Sequence, residues 1–150
     1  MKQTLIQATD FNKARKAIRE NKGKEIVFSS DDDDLARQVL EKENINILLI
    51  NLSGRKDRMK QRDSGLNHVI AKIAKKNNVR IGINLDEILD AKSKKEKSEI
   101  LGRVRQNVKL CNKNKLKMKF IFSSKNKKDQ HDLKSLGLTL GMPTWMIKEF

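Results

Sequence analysis

Apolar positions along the chain alternate between two rhythms. Short runs rich in Ile, Val, Leu or Phe cover residues 4–8, 25–30, 45–52, 79–84 and 118–123. Most are apolar at successive positions, as a parallel strand buried on both faces requires. Between them the period lengthens to that of a helix. Residues 10–22 put Phe11, Ala14, Ala17 and Ile18 on one stripe, with Gly23 where a helix C-cap belongs. Residues 32–43 follow Asp31-Asp32-Asp33-Asp34 and turn Leu35, Ala36, Val39 and Leu40 inward. Residues 64–77 place Leu66, Val69, Ile70, Ile73 and Ala74 at helical spacing. Ser93 and Glu96 form a capping box for a long helix whose core positions are Ile100, Leu101, Val104, Val108 and Cys111. A last helix is predicted from about Lys128 to Leu140, ended by Gly141 and Pro143.

The order βαβαβ–loop–αβαβα predicts an α/β fold with a parallel sheet and right-handed crossovers, in a single domain over residues 1–150. Five such strands are too few to close an eight-stranded barrel, so the sheet is expected to stay open, close imperfectly or be covered by a partner. Function in such folds gathers at the carboxyl ends of the strands. Those ends are residues 8–10, 29–31, 51–56, 84–86 and 123–126.

Charge changes the picture. The formal net charge is +15, from 34 Lys and Arg against 19 Asp and Glu. Residues 1–54 hold nine basic and nine acidic side chains, so residues 55–150, with 25 and ten, carry the whole excess. An asymmetry of this kind points to a polyanion, nucleic acid first. The competing reading is a solvated Lys-rich surface, because 25 of the 34 cations are Lys. The long non-periodic segment 53–63 concentrates Arg55, Lys56, Arg58, Lys60 and Arg62, and Lys125, Lys127 and Lys128 follow the last strand. Interspersed Arg and Lys on a loop suit phosphate contacts. With no Tyr and one Trp, recognition by shape and phosphate is expected rather than by base stacking.

Other chemistry has less support. The four-Asp run could bind a hard cation, but acids at a helix start answer to its dipole. His68 and His131 could form an acid–base pair, yet their 63-residue separation gives no reason for proximity. Cys111, the single cysteine, falls on an apolar stripe and reads as a packed thiol in a reducing compartment. No glycine-rich phosphate motif occurs, and no apolar run approaches a membrane span. The opening Met1-Lys2-Gln3-Thr4 does not read as a signal peptide, and a cytoplasmic location without membrane association is expected.

Four ordered segments carry a resemblance. Arg62-Asp63-Ser64-Gly65-Leu66-Asn67-His68-Val69 with residues 71–74, then residues 105–111 with Gln106 and Asn107, then Phe120-Ile121-Phe122-Ser123-Ser124, and last Asp132-Leu133 with residues 136–142 resemble ribonuclease P protein component 3. This is the archaeal and eukaryal p30-type family. The resemblance implies a TIM-barrel-like fold related to the polymerase and histidinol phosphatase domain, here incomplete, with the amino-terminal portion about two βα units short. It implies a subunit of the ribonucleoprotein endonuclease, a hydrolase in tRNA processing, that removes the 5′ leader from precursor tRNA. In that setting the RNA catalyses with Mg²⁺, and this chain holds no metal, no cofactor and no catalytic residue. The implied partners are ribonuclease P RNA, precursor tRNA indirectly, and the small ferredoxin-like protein subunit, in a heterotetramer. Lys125 and Asn126 depart from the family's Gly-Ala after the Ser pair. A metal-dependent nuclease or phosphoesterase of the related fold, and a basic scaffold without an RNA role, stay open beside this reading.

Overall fold

A computed structural model of the chain describes residues 2–57, 59–148 and 150. Its strands are β1 (Gln3–Gln7), β2 (Glu25–Ser29), β3 (Ile47–Ile50), β4 (Arg80–Asn84) and β5 (Met118–Ile121). The helices are α1 (Phe11–Glu20), α2 (Asp33–Lys42), α3 (His68–Lys76), α4 (Leu85–Leu89), α5 (Lys94–Lys113), α6 (Gln130–Thr139) and α7 (Thr144–Ile147). A 3₁₀ turn, Ser124–Asn126, follows β5.

All the strand pairs are parallel, and the spatial order is the chain order, β1-β2-β3-β4-β5. Right-handed crossovers between successive neighbours put every connecting helix on the same side. The packing bears this out. Ile6, Phe28, Leu48, Ile50, Ile81, Ile83 and Phe120 share one core with buried residues of the helices. The opposite face holds a small cluster of strand residues alone, Val27, Ile47 and Leu49 with Ile121 against them. The result is an open arc of a βα barrel, with β1 and β5 as its edges among the described residues.

Helix ends follow their caps. Asp10, Asp32, Asn67, Asn84, Ser93 and Asp129 each accept a backbone N–H with the side chain. Three expectations are corrected. Helix α3 begins at His68 rather than residue 64, because Gly65 has φ +70° and Asn67 caps the helix. Its expected neighbour Leu66 is still buried, from the loop. The capping box at Ser93 is only half made: Ser93 accepts from Glu96 N, while the Glu96 carboxylate takes Lys92 N and Ser53 Oγ. Finally, the one-turn helix α4 replaces what reads as loop after Asn84, since Leu85 and Ile88 bury at i, i+3 behind an Asn cap.

Candidate nucleic-acid interface

Strand β3 ends at Ile50 and the chain re-enters a helix only at His68. A connection this long would be expected to move, yet it is tied down from three sides. From α5, Arg103 donates to Leu52 O at 2.9 Å and to Arg55 O at 2.7 Å, and pairs with Asp57 at 3.2 Å. Gln106 donates to Arg62 O and Ser64 Oγ at 3.0 and 3.1 Å, and Asn107 donates to Ser64 O at 3.0 Å. From α4, Glu87 accepts Leu52 N and Ser53 N at 2.8 and 3.4 Å. From α2, Asp33 holds Arg55.

Arg55 therefore points into the protein rather than toward a ligand. Its Nη1 and Nη2 meet the two Asp33 oxygens at 2.9 and 3.0 Å, its Nε donates to Asn51 O at 2.6 Å, and Asp63 lies at 3.3 Å. Burial pulls the pKa of this guanidinium down, but Asp33 and Asp63 outweigh it and hold the pKa above its usual value. Gly65 makes room for this arrangement. A Cβ there would stand 2.7 Å from both Arg55 Nη2 and Ile50 Cγ2, at a φ that side chains rarely adopt.

The other loop cations face solvent. Lys56, Lys60 and Arg62 are exposed, while Arg58 lies outside the described residues. Arg62 lies along α5 at Gly102, whose hypothetical Cβ would meet Nη1 at 2.7 Å and Cζ at 2.8 Å. Glycine inside a helix costs about 1 kcal/mol relative to alanine. At this position it leaves a seat for a guanidinium.

Carboxylates elsewhere in the lattice are biased by their bonds. Asp57 is held below its usual pKa chiefly by Asp63 N–H, with help from Arg103 and the charge of Arg62. Glu96 is lowered by Ser53 Oγ–H and Lys92 N–H. Glu87 goes the other way: burial raises it, against the opposing backbone bonds of Leu52 and Ser53.

The second expected cluster follows β5. Asp86, beside Glu87 in the first turn of α4, accepts Ser123 N, Ser123 Oγ and Asn126 Nδ2 at 3.1, 3.2 and 2.7 Å. Burial would raise the Asp86 carboxyl, but the Asn126 and Ser123 bonds win and lower it. Adjacent carboxylates of one helix turn thus each hold one loop. Ser124 opens the 3₁₀ turn, exposed Lys125 reaches Asp90 at 3.5 Å, and Lys127 and Lys128 are exposed. Asn126, which departs from the Gly-Ala that the resemblance implies after the Ser pair, supplies the amide that binds Asp86.

The remaining candidates do not converge on chemistry. Asp32 caps α2 and Asp33 pairs with Arg55, so the four-Asp run is taken up by a helix start and an ion pair. His68 and His131 open α3 and sit in α6, both exposed. Cys111 is buried, and burial pushes its thiol up to about 12. No group of three or more His, Cys, Asp or Glu is poised to hold a metal ion among the described residues. Nor is any helix among them long and apolar enough to cross a membrane.

Over 110 residues the chain is 27% identical to a protein named ribonuclease P protein component 3 from Methanococcus maripaludis, covering 72% of this chain and 44% of that protein. In sequence, the chain is similar to ribonuclease P protein component 3. A chain in a cryo-EM structure of archaeal ribonuclease P with mature tRNA shares its fold, with TM-score 0.76 and 23% identity over 96% of this chain and 62% of that one. This chain thus spans less than half the length of its sequence relative and under two thirds of the solved chain. No protein-family model matches it. Of the residues that carry the resemblance to component 3, Arg62, Ser64, Gln106 and Asn107 are among those that fasten the β3–α3 loop to α5. Arg103, with three partners in the loop, belongs to none of the segments that carry the resemblance. Its signal is positional: an arginine at i+3 between Ile100 and Val104, on a buried stripe whose other members are apolar save Asn107.

Proposed function

We propose that the chain is a protein subunit of ribonuclease P that binds and supports the catalytic RNA during removal of the 5′ leader from precursor tRNA. The observation that carries this reading is the β3–α3 loop. Residues resembling component 3 are spent on holding its backbone, and Lys56, Lys60 and Arg62 are left facing outward from a fixed support. Preset cations lose less conformational freedom on meeting phosphates than cations on a free loop. Lys127 and Lys128 border the same end of the sheet. No step of the hydrolysis is assigned to this chain, and Mg²⁺ belongs to the RNA in this reading. The small ferredoxin-like subunit is the expected protein partner, in a heterotetramer.

Reconstitution tests it. Precursor-tRNA cleavage by the cognate RNA and partner subunit is measured with and without this chain across a Mg²⁺ series. A lowered Mg²⁺ requirement or a raised rate is expected, and no change in either sinks the proposal. The competing nuclease reading predicts metal-dependent RNA cleavage by the purified chain alone.

A further inference from the structure

Helix α5 is held by the core along Ile100, Arg103, Val104, Asn107, Val108 and Cys111. Its other side is exposed at Arg105, Lys109 and Lys113, and from Gly102 to its end the helix carries no carboxylate. Arg62 joins this side from the loop. Gln106 binds the Arg62 carbonyl, and the guanidinium lies over Gly102. Positions 102, 105, 109 and 113 are close to one turn apart, which sets cations at steps of about 5.4 Å along the helix. That step is similar to the spacing of successive phosphates on an RNA strand. We propose that Arg62, Arg105, Lys109 and Lys113 form one phosphate-tracking ridge for an A-form RNA strand, and that Gly102 is the positioning residue that seats Arg62 at its head.

This deepens the RNA-binding reading and rests on it. The head of the ridge is distinguished from the exposed Lys-rich surface at large, since the seat of Arg62 depends on a glycine that carries no charge. A side chain at Gly102 displaces only the mobile end of Arg62, so the helix itself keeps its backbone.

The test uses the full chain and a fluorescein-labelled RNA hairpin, with binding followed by anisotropy over a salt series. Gly102→Ala is expected to melt no lower than the parent, yet to lose about 3- to 10-fold in affinity, as one charged contact commands. Its salt slope should fall by about 0.7–0.9, the yield of one phosphate contact. Arg62→Ala should do the same, and the double variant no more than either. Arg105→Ala with Lys109→Ala should lower the slope by about two such steps. Should Arg62→Ala weaken binding while Gly102→Ala binds like the parent, the seat is overturned and the loop assignment survives. Parent-like binding by Arg62→Ala overturns both. Loss of precursor-tRNA stimulation with hairpin binding intact would strike the subunit reading alone.

Discussion

Two basic segments leave the same end of the sheet, and they are built in opposite ways. The β3–α3 loop is long and held from α2, α4 and α5, with Arg55 and Arg103 turned inward as its fasteners. The segment after β5 is short and hangs from α4 through Asp86 and Asp90, with its lysines outside. Cations serve as internal ties in one, where they are arginines, and as surface charge in the other, where they are lysines. A count of cations on each loop says nothing of this difference. What separates the two is the number of backbone carbonyls each loop leaves for a neighbour to satisfy. The described residues between β3 and α3 lie in no helix or strand and leave many such groups to be satisfied, and a buried arginine with several donors answers more of them than any other side chain.

The largest way to break that contrast is to remove the fastener. Arg103→Met keeps much of the apolar stem but strands the carbonyls of Leu52 and Arg55. The expected loss is about 2–4 kcal/mol, measured by urea unfolding. Hydrogen exchange should quicken in the β3–α3 loop and not in the β5–α6 segment. Loop protection in Arg103→Met equal to that of the parent would mean the loop is held by something other than Arg103.

The strands were legible because their apolar runs are buried on both faces, and the long helices because their stripes and caps coincide. Helix α4 was not, since a single turn offers one i, i+3 pair and a cap, which a strand end also offers. Of the site, the exposed cations could be picked out by type alone, but Arg55 could not be separated from them. Its inward turn depends on Asp33, 22 positions earlier, which reads as a helix-start acid and serves as both. Arg103 was hidden for the converse reason. Apolar periodicity tolerates a gap, and only tertiary contact shows that the gap is filled by a guanidinium.

Next in size is Gly65→Ala. The left-handed backbone and the crowding by Arg55 and Ile50 oppose a methyl group there. A loss of about 1–3 kcal/mol is expected, with Arg55 displaced from Asp33. Glycine's removal should loosen the tied loop and leave the Ser123–Asp86 anchorage intact, readable as unchanged amide shifts at Ser123 and Asn126.

Asp86→Asn sharpens the comparison from the other side, because it loosens only the β5 segment. The Asp86 pKa is lowered on folding, so its carboxylate adds stability above the ordinary carboxylate range. That increment is lost as pH falls through the depressed folded pKa. For a group this accessible the increment is under about 1 kcal/mol. Parent and variant should therefore differ at pH 7 and converge under strong acid. A constant offset at every pH would show that the charge of Asp86 is not what anchors Ser123. Glu87 carries the reverse sign: its raised pKa favours folding as the pH falls through the folded value, and it works against the acid loss.

The smallest effect is expected where charge is most freely exposed. Lys127→Ala with Lys128→Ala removes two cations that make no ion pair among the described residues, so unfolding free energy should stay within about 0.5 kcal/mol. RNA affinity is the discriminating measure, against Lys56→Ala with Lys60→Ala on the tied loop. Both pairs delete two charges, so long-range attraction falls equally in each. If placement matters, the tied-loop pair loses more affinity and more salt slope, because its lysines lie between Arg55 and Arg62, whose carbonyls Arg103 and Gln106 hold. Equal losses would mean that net charge alone draws the RNA, and the lattice beneath the loop would then be stability without recognition.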